Sequence, residues 1–227
     1  MEDKNFAERL NILRAGVLGA NDGIISIAGV VIGVASATSN IWFILISALS
    51  AIFAGAFSMA GGEYVSVSTQ KDTEEAAIAK EQALLDRSSE AARKSLYQTF
   101  LSQGDCETAA EVKVNQAFSK NPIKVLVEEK YGVDLEEITN PWHAAFSSFL
   151  AFSVGSLPPT LAILLFPEPY RIPVTVVVVA LTLLLTGYIS AKLGKAPVKQ
   201  AMLRNLTVGL LTMLVTFAVG HIFHVNV

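Results

Sequence analysis

Residues 54–70 read AGAFSMAGGEYVSVSTQ. The stretch begins as an apolar helix, then presents Met59 and Glu63 four residues apart, on one helical face, and runs through Ser66 and Thr69 into charged sequence. It reads as the end of a membrane span. An acidic residue near the middle of such a span costs roughly 2.5 to 3.5 kcal/mol on insertion scales, so Glu63 marks a functional position.

Outward from this stretch, the whole chain is built of spans. Only 16% of the 227 residues are charged and 52% are hydrophobic, against about 25% charged in a soluble domain. Five apolar segments reach the ~20 residues needed to cross a bilayer: Leu13 to Ala37, Ile41 to Val67, Trp142 to Phe166, Ile172 to Leu193 and Ala201 to Phe223. The expected fold is therefore all-α and polytopic, with five transmembrane helices and a helical cytoplasmic insertion between the second and third. Its parts are residues 1–70, a lead-in and spans one and two; 71–140, the cytoplasmic helices; and 141–227, spans three to five.

Basic residues set the orientation, because Lys and Arg stay on the cytoplasmic side. An amino terminus in the cytosol leaves Arg171 as the one basic residue of 17 on the far side. Five spans then put the carboxyl terminus, with His224, outside the cell or in a lumen, across a plasma membrane or a vacuole-type membrane. The first 12 residues lack the zones of a cleavable signal, so the first helix is expected to be retained. The basic residues serve topology, and no nucleic-acid partner is expected. Cys106 is the single cysteine, which excludes an internal disulfide and a Cys-based zinc cage and leaves an inert cytosolic thiol.

Asn5 to Arg14 reads as a short amphipathic lead-in lying along the cytoplasmic surface. In the first span, Gly19 with Gly23 and Gly29 with Gly33 are small-xxx-small pairs that permit close helix approach. Asn21 and Asp22 interrupt the same span, and an Asp there must face a partner, a cavity or a cation. Thr38, Ser39 and Asn40 make a tight turn. Counted from it at ~1.5 Å per residue, Asp22, Met59 and Glu63 fall at similar depth in the half nearer the cytosol. Carboxylates, the Asn21 amide and a Met sulfur form a mixed hard and soft donor set. It suits Fe2+ or Mn2+ better than Mg2+ or Ca2+, whose sites are all oxygen.

Three motifs, GANDGIIS in the first span, FSMAGGEYVSVSTQKDTE in the second and NPWHAAFSSFLAFSVGSLPP at the third, together with the five-span layout, resemble the vacuolar iron transporter (VIT) family over nearly the whole chain. The resemblance implies a homodimer with a path between the first transmembrane helices of its subunits. It also implies export of Fe2+, often Mn2+ too, from the cytosol in exchange for protons, the metal being substrate and no cofactor being needed. By matching position, Asp22 and Met59 would line the path, with Glu63 one turn further on.

In the segment from Lys71 to Asn140, helices are expected over Thr73 to Asp86, Ser89 to Ser102, Cys106 to Ser119 and Pro122 to Tyr131. Ser88 or Ser89 would cap one start, Asp105 another, and Gly132 a carboxyl end, while Asn140 and Pro141 would open the third span. In much of the family the resemblance implies a metal-collecting module here. This sequence keeps Glu81 but carries Leu84, Ala92, Ser95, Leu126, Val127 and Lys130 at the other ligand positions. The module is therefore expected to be structural, with Glu74, Glu75 and Glu81 as residual candidates for a cytoplasmic metal site.

Pro158 and Pro159 should kink the third span, and the stretch from Pro167 to Pro173 reads as a stiff far-side turn. His143, His221 and His224 fall near span ends as interfacial groups. Three functions remain in competition. The first is a transporter in which metal and proton compete for Asp22 and Glu63. The second is a membrane-anchored metal-sensing or binding module. The third is an intramembrane enzyme, which the absence of His-Glu-x-x-His, Gly-x-Ser-x-Gly and Glu-x-x-His runs argues against.

Overall fold

The computed structural model describes residues 6–135 and 140–223, with side chains from residue 13 onward. Among the described residues all regular structure is helical, in the order α1 (Phe6–Ala37), α2 (Ile41–Arg87), α3 (Ser89–Ser102), α4 (Glu107–Lys120), α5 (Pro122–Tyr131), α6 (Pro141–Leu165), α7 (Glu168–Leu193) and α8 (Val198–Ile222). Five of them, α1, α2, α6, α7 and α8, are long and apolar enough to span a bilayer. The chain is a multi-pass membrane protein.

Several sequence-based boundaries move. The lead-in and first span are one helix, because nothing between Phe6 and Leu13 breaks it; Asn5 lies outside the described residues. The second span does not stop at Val67. It runs unbroken to Arg87, because residues 63–87 contain no glycine or proline and consist largely of good helix formers. At ~1.5 Å per residue this helix is about 70 Å long, more than twice the ~30 Å hydrocarbon thickness, so its charged end extends past the bilayer. The stretch from Pro167 to Pro173 is not a turn throughout. Pro167 caps α7, Pro169 sits in its first turn where a missing N–H costs nothing, and Pro173 lies inside the helix. α8 begins at Val198, ahead of the expected Ala201. α6 stays helical through Pro158 and Pro159; Ser153, Ser156 and Thr160 hydroxyls back-bond the carbonyls of Phe149, Phe152 and Ser156 at 2.7 to 2.8 Å.

The chain divides into two units, residues 9–64 with 141–227, and residues 1–8 with 65–140. In the membrane unit, α1 is packed on two sides by other helices of its own chain. A Cβ on Gly23 would come within 2.3 Å of the Phe152 carbonyl oxygen of α6, and one on Gly155 within 2.3 Å of the Ala20 oxygen. One heptad and more along α1, Gly33 meets α8 so closely that a Cβ on Gly220 would lie 1.9 Å from the Gly33 oxygen. Ser36 ties the same crossing by donating to the Phe217 carbonyl at 3.1 Å. The two small-residue pairs of α1 therefore serve different partners. Between these contacts Ile24, Ile27, Ala28 and Val31 are buried with Ala48 and Ala56 of α2, Phe152 of α6 and Leu183 of α7.

At one end of this unit the α1–α2 turn is bonded to the first turn of α7. The Ser39 hydroxyl donates to Glu168 at 2.5 Å, and the Arg171 guanidinium donates to the Ser39 carbonyl at 3.2 Å. Trp42 and Tyr170 are exposed near this end and Trp142 near the other, with Tyr64 tilted against the Trp142 ring at 4.8 Å. Aromatic residues at both ends are the expected anchors at the two membrane–water boundaries. His221 stacks on Phe217 near the end of α8; His224 lies outside the described residues.

In the other unit, α3, α4 and α5 enclose a small core. Ala92, Leu96 and Phe100 repeat every four residues on α3, Ala110, Val114 and Ala117 face them from α4, and Leu126 closes the cluster from α5, with Leu84 and Leu85 of α2 packed against it. The caps mostly follow the sequence. Ser88 accepts from the Ala91 N–H at 3.1 Å, and Gly132 ends α5 in the left-handed conformation at φ 67°. Asp105 is a correction: Cys106 takes the cap position of α4 without a side-chain bond, and Asp105 instead pairs with Lys113 at 2.5 Å.

Candidate functional site

Asp22 lies in the middle of α1, where its carboxylate accepts a 2.8 Å hydrogen bond from Ser26, one turn on along the same helix. This bond orients the carboxylate without neutralising it, and among the described residues no cation pairs with it. Asn21 faces elsewhere. It lines a groove with residues of α7 and α8, and its side-chain oxygen is buried with no hydrogen-bond partner among the protein atoms. Met59 is partly buried against the core shared by α1, α2 and α6.

Glu63 has a partner that the sequence reading missed. Arg14 donates to its carboxylate at 3.0 Å, with the Glu63 side chain 12% exposed and that of Arg14 62%. The signal was available: the two residues are about equally far from the turn at Thr38 to Asn40, which is the register of an antiparallel hairpin. The pair also corrects the depth of the constellation. Arg14 precedes Asp22 by two turns, about 12 Å along the helix. Because Glu63 is level with Arg14, it stands well toward the amino-terminal end of α1, with Met59 between it and Asp22. The residues form a staggered series and not a cluster, and the described residues contain no group of three His, Cys, Asp or Glu side chains that could hold one metal ion.

The second candidate, between α2 and α5, is occupied from within. Glu81 is 1% exposed; its carboxylate accepts from the Lys130 ammonium at 2.7 Å and from the Tyr131 hydroxyl at 2.8 Å. Lys80 lies 5.8 Å from the Tyr131 ring centroid, and hydrogen bonding to the Tyr131 hydroxyl raises its pKa above the ordinary lysine value. An ammonium thus supplies the positive charge that a metal would bring to Glu81. Glu74 accepts from Gln70 and Glu75 pairs with Lys71, each one turn along α2 and about two turns before Glu81. Ala92, Leu126 and Val127 are buried and apolar, so positions where the resemblance implies ligands are core here. These residues do not fit a bound metal.

Cys106, expected as an inert thiol, is exposed. Its sulfur lies 3.3 Å from the Thr108 hydroxyl, and that hydrogen bond, helped by the Ala109 N–H at the start of α4, lowers its pKa.

Five apolar helices, with a carboxylate that no cation pairs among the described residues on one and a paired carboxylate and a thioether on the next, define a multi-pass helical membrane protein. The sequence matches the VIT family profile over residues 13–221, and the chain belongs to that family. Vacuolar iron transporter homolog 3 of Arabidopsis thaliana is 32% identical over 215 residues, covering 94% of this chain and 84% of that protein. The vacuolar iron transporter of Acanthamoeba castellanii is 35% identical over 210 residues, covering 92% and 77%. VIT-like transporter 1b of Glycine max is 30% identical over 215 residues, covering 94% and 76%.

Proposed function

We propose that this protein moves Fe2+, and Mn2+ as a second substrate, out of the cytosol in exchange for protons, without enzymatic activity of its own. The observation that carries the reading is the membrane-embedded series Glu63, Met59, Asp22, found in a family whose relatives are named iron transporters. A carrier site must bind a cation well enough to admit it and loosely enough to release it. Staggered single donors serve that purpose better than a closed cage, and a thioether beside carboxylates favours Fe2+ and Mn2+ over Mg2+ and Ca2+.

Protons and metal ions compete for the same carboxylate oxygens, so binding one expels the other. Glu63, closer to the amino-terminal end of α1, would receive the ion from the cytosol as Arg14 swings away. Asp22 would accept it next, since Ser26 already orients the carboxylate. The orientation that fits the basic residues places the amino terminus and α3 to α5 in the cytosol and the carboxyl terminus outside or in a lumen. Two copies would pair through α1. Its glycines are taken up by α6 and α8 of the same chain, so that contact falls to the remaining faces of the helix.

The test is Fe2+ flux into proteoliposomes across an imposed pH gradient, with Mn2+ and Mg2+ as competitors. Asp22→Ala and Met59→Ala should abolish or greatly slow Fe2+ movement while leaving the protein folded. Variants that carry Fe2+ like the parent would remove the site assignment, and flux indifferent to the pH gradient would remove the exchange.

A further inference from the structure

The membrane unit holds a second polar feature, which shares Arg14 with the transport path but extends away from it toward α7 and α8. Beside α1, at the end where α7 finishes and α8 begins, lies a groove of about 360 Å3 whose polar rim includes Arg14, Asn21, Ser190, Arg204 and Asn205. A second groove of about 390 Å3 adjoins it between α1, α6 and α7. The two share Leu13, Val17 and Thr186 as walls, and the second is almost wholly apolar, lined by Ala20, Ala151 and Ile189. Arg204 is exposed and has no ion pair among the described residues, whereas Arg14 gives one edge of its guanidinium to Glu63. The connection from α7 to α8 adds Lys195, and Lys192 and Lys199 flank it.

We infer that this two-lobed groove binds an anionic phospholipid, with the phosphate on Arg204 and Asn205 and an acyl chain in the lobe between α1, α6 and α7. Three observations converge. A guanidinium is shaped for two parallel bonds to a phosphate, and Arg204 is free to make them. The order of surfaces, cationic rim and then apolar lobe, matches a lipid and not a free anion. The site also lies on membrane-spanning helices at their basic end, where an anionic leaflet would concentrate such a lipid. The Asn21 amide supplies either a donor or an acceptor by a simple flip, so its unsatisfied oxygen faces no penalty once a headgroup or its hydration enters. Two carboxylates oppose the headgroup's charge: Glu63, which Arg14 offsets, and Asp22, which is next in sequence to Asn21 and does not line the groove.

The inference does not depend on which ion is carried. The purified full-length protein in neutral detergent would be titrated with phosphatidylglycerol, phosphatidylcholine and inorganic phosphate, with bound lipid read by native mass spectrometry and the unfolding midpoint by a thermal scan. Phosphatidylglycerol should be retained and raise the midpoint more than phosphatidylcholine. Arg204→Gln should weaken its binding at least tenfold and abolish the difference between the two lipids. Val17→Phe, which narrows the wall common to both lobes without changing charge, should also displace the lipid and serves if Arg204→Gln does not fold. Four results would overturn the inference. Equal effects of the two lipids would make the groove merely apolar, and an equal effect of inorganic phosphate would make it an anion site. Unchanged phosphatidylglycerol binding in both variants would remove the groove from the interaction. A variant that shifts oligomeric mass but not lipid binding would assign the surface to a second copy of the chain.

Discussion

Replacing Lys130 by Met should loosen the packing of α3, α4 and α5 far more than replacing Glu81 by Leu. Lys130 and Tyr131 are the two groups bonded to the Glu81 carboxylate, at 2.7 and 2.8 Å, and the Glu81 side chain is 2% exposed against 18% for Lys130. Lys130→Met leaves a buried carboxylate with one neutral donor. Breaking a buried pair from one side costs about 3 to 5 kcal/mol, and partial solvent access at Lys130 favours the lower figure. Glu81→Leu leaves the cation instead, on a flexible stem that can reach water, and replaces the buried carboxylate by apolar volume, so the cost should be about 1 kcal/mol or less. The double variant should recover most of what Lys130→Met loses.

Native-state hydrogen exchange on the intact protein reads this directly, because local opening sets the protection of amides in α3, α4 and α5. At about 1.4 kcal/mol per tenfold, Lys130→Met should lower protection there by roughly two to three orders of magnitude, with no change in α6 to α8. Equal, small effects of the two single variants would refute the reasoning, since they would mean that Glu81 is solvated and the ion pair incidental.

Three other expectations follow from the same structure. Chelating divalent metal should leave protection of α3 to α5 unchanged, because Lys130 already neutralises Glu81; a chelator-induced loss would reinstate a metal site there. Gly23→Ala, whose Cβ would lie 2.3 Å from a backbone oxygen of α6, should lower stability by about 1 to 3 kcal/mol through overpacking. Gly61→Ala, with nothing within 4 Å, should be neutral or stabilising by up to ~1 kcal/mol, and thermal unfolding in detergent would compare the two. Alkylation of Cys106 by iodoacetamide should rise with pH through a midpoint below that of an ordinary thiol, since a lowered pKa keeps the thiolate present at lower pH. Thr108→Val should move the midpoint back up.

Length and hydropathy alone made the five apolar helices legible, because a bilayer demands about twenty apolar residues and little else can satisfy that demand. Asp22 and Glu63 stood out for the same reason, as costly residues in a medium that penalises them, and Met59 only by its helical spacing from Glu63. Local chemistry was equally readable where it is local: Ser88 caps, Gly132 turns left-handed, and Ala92, Leu96 and Phe100 repeat at the helical period. Continuity was harder to read. The passage from apolar to charged composition at Val67 looked like a boundary, yet composition sets the solvent a helix meets and not where its hydrogen bonds stop.

What the sequence could not decide was partnership. Gly19 with Gly23 and Gly29 with Gly33 have the same pattern, but one pair meets α6 and the other α8, which depends on where those helices cross α1. The pairing of Arg14 with Glu63 depends on hairpin register, and that of Glu81 with Lys130 on the folding back of α5 toward α2. A chain of residues fixes the cost of leaving a charge unpaired in an apolar or buried place. Only the packed helices determine which group, near in space and remote in sequence, removes that cost.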